Sequence, residues 1–212
     1  MIKKLKKELS EILKNKKINL IIFGETHSFL DDNLIQEEII KLFHPNVFLY
    51  EMLEDTELTN PAEQISFLEQ SENKDFSVIS KFGELKNTIN LAHKYNLPII
   101  GSDIKNMCRK NKDFLKKAKI TDEDIKIEEE ILLNRENAQK AKIADLVQNG
   151  KKVLATTGAF HLRKDSPLLN LNLDTYLIIY PAYESEQLFE PPENFSIDKV
   201  TFEIKIISKQ NG

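Results

Sequence analysis

Short apolar runs that do not alternate, each closed by a glycine or an acid and parted from the next by helical periodicity, narrow this chain's fold most. They lie at about residues 19–24, 47–50, 98–101 and 153–157, and they end at Gly24, Glu51, Gly101 and Gly158. A strand with one wet face alternates apolar and polar residues, whereas a run without alternation is covered on both faces. Between the runs, Ile35, Ile39 and Leu42 form one stripe behind Asp31-Asp32-Asn33, which can cap a helix, and His44-Pro45 stops it. Leu85, Ile89 and Ala92 mark another helix, closed near Asn96, and a long charged helix spans about 122–149 before Gly150. The pattern predicts an α/β fold, with a mainly parallel central sheet flanked by helices on both faces.

The ends of the chain fit around that sheet. Leu5, Leu9, Ile12 and Leu13 sit at helical spacing among charges, so the first residues read as an amphipathic helix and not as a signal segment. A further apolar run at 175–179 precedes Tyr180-Pro181. Beyond it, Val200, Phe202, Ile204 and Ile206 alternate with Thr201, Glu203 and Lys205, the period of a half-exposed antiparallel edge strand. Such an edge could pair with a second chain as a homodimer. Two insertions, about 55–80 and 105–121, follow strands. Asn60-Pro61 opens a short helix carrying Ile65 and Leu68 in the first, and both insertions are expected over the strands' C-terminal rim as lids. At 212 residues the chain reads as one domain, 1–212.

Composition removes several classes of function. A net charge of −4 gives no basic face for nucleic acid. No segment approaches the roughly 18 apolar residues of a membrane span. The single cysteine, Cys108, allows neither an internal disulfide nor a CxxC metal site, which fits a reducing, cytoplasmic setting. No Gly-x-Ser-x-Gly, P-loop or Gly-x-Gly-x-x-Gly is present.

The chemistry collects where the runs end. Gly24-Glu25-Thr26-His27 and Gly158-Ala159-Phe160-His161 repeat the spelling Gly-x-x-His, and two of the four histidines thereby fall just past strand ends. In open α/β sheets ligands bind at the carboxyl ends of the strands. If the sheet is parallel, its four exits present Glu25 with His27, Glu51, Asp103 and His161. The plainer alternative makes Glu25 and Glu51 caps and Asp103 a turn former. On the long helix, Ile131, Arg135 and Ala138 share a face by their spacing, so Arg135 points inward and needs a carboxylate or an anionic ligand. A snorkelling or core-bridging arginine is the alternative there. His44 and His93 read as surface residues, and Cys108 has no histidine at a suggestive spacing.

These segments, in this order, resemble the erythromycin-esterase/ChaN-like superfamily, which also takes in the TraB/Tiki proteins. The resemblance runs over about residues 18–165 and rests on Gly24–His27, Glu51, the arginine within Asn134-Arg135-Glu136-Asn137, and Gly158-Ala159-Phe160-His161-Leu162. The chain departs from the family pattern after the arginine, where Glu136-Asn137 replaces the usual Met-Ala. The resemblance implies an α/β fold with one rim site, and an activity among lactone or ester hydrolysis, metal-dependent proteolysis, and haem or iron binding.

Two hydrolytic mechanisms suit the residues. In a metal-free one, His27 is the general base for water, Glu25 or Glu51 orients it, and His161 or Arg135 stabilises the oxyanion. In a metal-dependent one, His27, His161 and one or two of Glu25, Glu51 and Asp103 hold zinc, manganese or iron. The substrate is then a small molecule or peptide. The rival is a non-enzymatic haem- or iron-binding protein using tyrosine or histidine on an exposed surface, with Tyr50, Tyr180 and Tyr183 as candidates.

Overall fold

The computed structural model describes residues 2–25, 32–72, 82–105, 121–182 and 201–208. Strands β1 (Leu20–Glu25), β2 (Val47–Tyr50), β3 (Glu57–Leu58), β4 (Ile99–Gly101), β5 (Val153–Gly158), β6 (Thr175–Ala182) and β7 (Thr201–Ser208) form one sheet in the order β3-β4-β2-β5-β1-β6-β7. The five central strands are parallel, while β3 and β7 run antiparallel at the two edges. Helices α1 (Ile2–Asn15), α2 (Asp32–Phe43), α3 (Pro61–Glu72), α4 (Phe82–Lys94) and α5 (Asp122–Gln148) and three short 3-10 turns complete the described elements. The architecture is the mainly parallel α/β arrangement that the unalternating runs predict.

Strand parity divides the core in two. Ile21, Phe23, Phe48, Tyr50, Leu154, Leu177 and Ile179 point to the face covered by α1, α2 and α4. Leu20, Ile22, Val47, Leu49, Val153, Ala155 and Ile178 point to the other, under Ile143 of α5 and the turns around Leu162 and Leu168. Every residue of β1, β2 and β5 is buried. Among the described residues no helix is long and apolar enough to cross a membrane.

The first insertion, whose residues 73–80 lie outside the described residues, opens on a short edge strand. β3 turns the chain back antiparallel to β4, pairing Glu57 with Ile100 and Leu58 with Ile99. It therefore leads away from the C-terminal rim. Buried Gln64, at the start of α3, donates to the carbonyl of Leu97 at 2.8 Å, at the end where β4 begins. The start of helix α3 is thus tied to the opposite rim, and its Ile65 is exposed. Most of the second insertion lies outside the described residues.

Helix α5 begins with a reciprocal cap: Thr121 Oγ1 accepts from Asp124 N at 3.2 Å, and Asp124 Oδ2 accepts from Thr121 N at 3.0 Å. Its buried positions are Glu136, Gln139 and Ile143, together with Asp124 near the cap. Ile131 and Ala138 are only half-buried. The inward face is therefore turned by about one residue from the stripe that Ile131 and Ala138 suggest, and it brings an acid and an amide against the sheet.

Candidate active site

β4, β2, β5 and β1 are consecutive neighbours in the sheet, so their exits form one continuous rim carrying Asp103, Glu51, His161 and Glu25 in that order. The exits are joined by backbone bonds. Glu51 opens a short 3-10 turn, Glu51–Leu53, and the chain beyond it folds over the end of β4. Asp103 N donates to Glu54 O at 3.0 Å, Gly101 N to Thr56 O at 2.7 Å, and Ser102 N to Tyr50 O at 3.2 Å. A second 3-10 turn, Ala159–Leu162, carries His161 from the end of β5.

Glu51 sits at the centre and is buried. Its Oε2 accepts from Thr157 Oγ1 at 2.7 Å and Gly158 N at 2.8 Å. Its Oε1 receives Arg135 Nη2 at 2.6 Å and faces His161 Nε2 at 3.2 Å. Arg135 also donates through Nε to Asp103 Oδ2 at 2.8 Å, and its Nη2 closes an ion pair with the same oxygen. Asp103 Oδ1 is held by Ile104 N at 2.7 Å. His161 Nδ1 faces Glu136 Oε1 at 3.0 Å, and Glu136 is wholly buried, at 0% exposure. Arg163 also clamps Glu136, with Nη2 on Oε2 at 3.1 Å and Nη1 on the Oε1 that faces His161. The Thr157 hydroxyl also lies 3.1 Å from Gln139 Oε1, so its one proton has two acceptors within reach.

The electrostatics follow from this wiring. Burial works against a charge on His161, but Glu51 and Glu136 outweigh it and raise the imidazole to about 9. A neutral imidazole offers one N–H, and here both nitrogens face carboxylate oxygens, so the imidazolium is the species that satisfies them. Burial also works against Glu51, yet His161, Arg135 and the Gly158 amide hold its carboxyl well below the usual range. Glu136 is lowered against its burial by His161 and Arg163. Near neutral pH the cluster is three carboxylates, two guanidinium groups and one imidazolium. The two guanidinium groups are its partly open members, with 18% of the Arg135 side chain and 20% of the Arg163 side chain exposed.

The sequence-derived candidates fall into three groups. Glu51, Asp103, Arg135 and His161 are in direct contact, and the carboxylates that an inward Arg135 needs are Glu51 and Asp103. Glu25 continues the parity of Ile21 and Phe23, so it lies toward α2, where its Oε2 accepts from Gln36 Nε2 at 3.4 Å. His27 lies outside the described residues, as do Tyr183 and Cys108. His44 and His93 are exposed. Glu136, Gln139, Thr157 and Arg163 are members that sequence reasoning missed. The available signal was Glu136, Gln139 and Ile143 at helical spacing, a polar stripe in phase with one apolar residue.

The placed residues do not fit a metal. Coordination needs an imidazole lone pair, and both ring nitrogens of His161 face carboxylates, while Glu51 and Asp103 are occupied by Arg135. Among the described residues no group of three or more His, Cys, Asp or Glu side chains is arranged to hold an ion. Of the tyrosines named from sequence as haem ligands, two lie within the described residues. Tyr50 and Tyr180 are buried in the sheet rather than on an exposed surface, and the Tyr180 hydroxyl donates to Glu203 at 2.7 Å. Compared with models of protein families, with curated proteins and with solved structures, the chain matches none.

Proposed function

We propose that this protein is a hydrolase of an ester, lactone or peptide bond, acting on a small molecule or peptide at the C-terminal rim. The observation that carries the reading is the pairing of two cationic side chains, Arg135 and His161, on one buried carboxylate at adjacent strand exits. Fixed positive charge that needs no reorganisation suits the negative oxygen that develops during acyl transfer. His161, raised to about 9, is protonated at neutral pH and cannot be the base. Glu51, saturated with donors and lowered in pKa, is a poor base as well and serves to hold the two cations. The base is then His27, two residues after Glu25 in the sequence, with Glu25 as its orienting carboxylate. This assignment of roles agrees with the resemblance to the erythromycin-esterase/ChaN-like superfamily. The open edge of β7 is the surface left for a second copy of the chain.

Assay of the purified protein on a panel of aryl esters, lactones and short peptides tests the reading. His27→Ala should lower kcat by about 10²–10⁴ on the accepted bond type. Arg135→Lys, which keeps the charge but loses the fork, should lower kcat by roughly 10² with KM little changed. Turnover that survives both substitutions, or none from the unaltered protein on any bond type, overturns it.

A further inference from the structure

We infer that two copies of this chain pair edge to edge through β7, in one antiparallel register. β7 ends the sheet and pairs with β6 along its whole length, and among the described residues no strand lies on its other side. An open edge offers a row of backbone donors and acceptors, which folded proteins blunt with brevity, bulges, proline or charged side chains. β7 has eight residues, an unbroken register from Thr201 to Ser208, no proline, and an Ile206 that is 41% exposed. What guards it is charge, at Glu203 and Lys205, and the two signs can pair with each other.

The charges choose the register. Glu203 and Lys205 are exposed and stand on one face, either side of position 204. A two-fold pairing that continues the sheet joins residues on the same face, and two such registers overlap nearly the whole strand. One puts Lys205 on the two-fold axis and so brings two ammonium groups together. The other puts Ile204 on the axis, and each Glu203 then faces Lys205 of the partner subunit. Like charges directly opposite destabilise a strand pair and opposite charges favour it, so the second register is selected. Both side chains are already steadied at the edge: Glu203 Oε2 accepts from the Tyr180 hydroxyl, and Lys205 Nζ lies 4.9 Å from the centre of the Tyr180 ring. Pairing therefore orders little that is not ordered beforehand.

Sedimentation equilibrium of the full chain across the micromolar range is the test. The wild-type protein should dimerise with concentration, and Glu203→Lys and Lys205→Glu should each weaken the dimer by about tenfold or more. Mixing the two variants should restore association as a heterodimer, because one chain then supplies two cations and the other two anions. A monomeric wild type, a dimer indifferent to both reversals, or a mixture that stays apart overturns the proposal. Should either reversal unfold the chain, zero-length carbodiimide coupling of wild-type protein followed by mass spectrometry decides the same register. The expected crosslink joins Glu203 to Lys205 of the partner subunit, and its absence counts against the pairing.

Discussion

A buried imidazole with a carboxylate on each ring nitrogen is held in one charge state, and at His161 the choice rests on Glu136 as much as on Glu51. Glu136→Gln removes the charge and keeps the shape. The titration midpoint of His161, followed by the NMR shift of its ring proton, should then fall from about 9 toward the ordinary histidine value near ~6.5. Arg163 and His161 would face an uncharged partner in a buried site, and denaturant unfolding should show a loss on the order of 3 kcal/mol. An unmoved midpoint would assign the charge to Glu51 alone. Glu136 also marks the limit of what the sequence discloses at this scale. Glu51, Asp103 and His161 stand out because strand ends are visible in the chain, and Arg135 because an arginine on an apolar stripe needs a partner. Glu136 is one acid among many on α5, and only the phase of the helix against the sheet singles it out. That phase depends on packing, and it differs by a residue from the one that Ile131 and Ala138 suggest.

Between elements, two glycines do unequal work in bringing the exits together. A Cβ on Gly101 would lie 2.6 Å from the carbonyl carbon of Glu54 and 2.7 Å from Leu53 O, inside backbone that has no room to move. That backbone belongs to the turn that presents Glu51. A Cβ on Gly24 would meet Leu162 Cδ1 at 2.8 Å and Ala159 Cα at 3.2 Å, and the nearer of these is the far end of a side chain. Gly101→Ala should therefore cost about 3 kcal/mol or abolish folding, while Gly24→Ala should cost roughly 1 kcal/mol, both measured by urea midpoint. Equal losses would mean that the Glu51 turn yields as easily as a leucine rotamer. The contact at Gly24 also accounts for the glycine of the first Gly-x-x-His segment. The turn of the second segment packs on the strand that ends in the first, and β1 and β5 are direct neighbours. The parallel strands, both helical layers and the β7 edge were legible because each has a signal several residues long, an unbroken apolar run or a period. β3 was not, because a strand of two residues leaves no period to read and yet reverses the chain.

Across the whole molecule, the buried cluster makes stability depend on pH from both sides, and the sign differs on each. His161 is raised to about 9 in the folded protein against ~6.5 when unfolded. Its contribution is therefore complete below pH ~6.5 and is lost as pH rises through about 9, a change on the order of 3 kcal/mol. Glu51 and Glu136 are lowered by folding, so their contribution is present above the unfolded carboxylate range and is lost as pH falls through their depressed values. Tyr176 and Tyr180 are raised as well, but unfolded tyrosine titrates near ~10, so they act above the histidine window. Urea midpoints should accordingly be highest between roughly pH 5 and 6.5 and decline toward pH 9. In His161→Gln the decline between roughly pH 6.5 and 9 should flatten, while the acid limb persists through the carboxylates paired with Arg135 and Arg163. A wild-type profile that stays level up to pH ~9 would mean that His161 is neutral in the folded protein. That outcome would return to His161 the role of base that its two carboxylates deny it, and leave Arg135 as the rim's remaining candidate for the oxyanion.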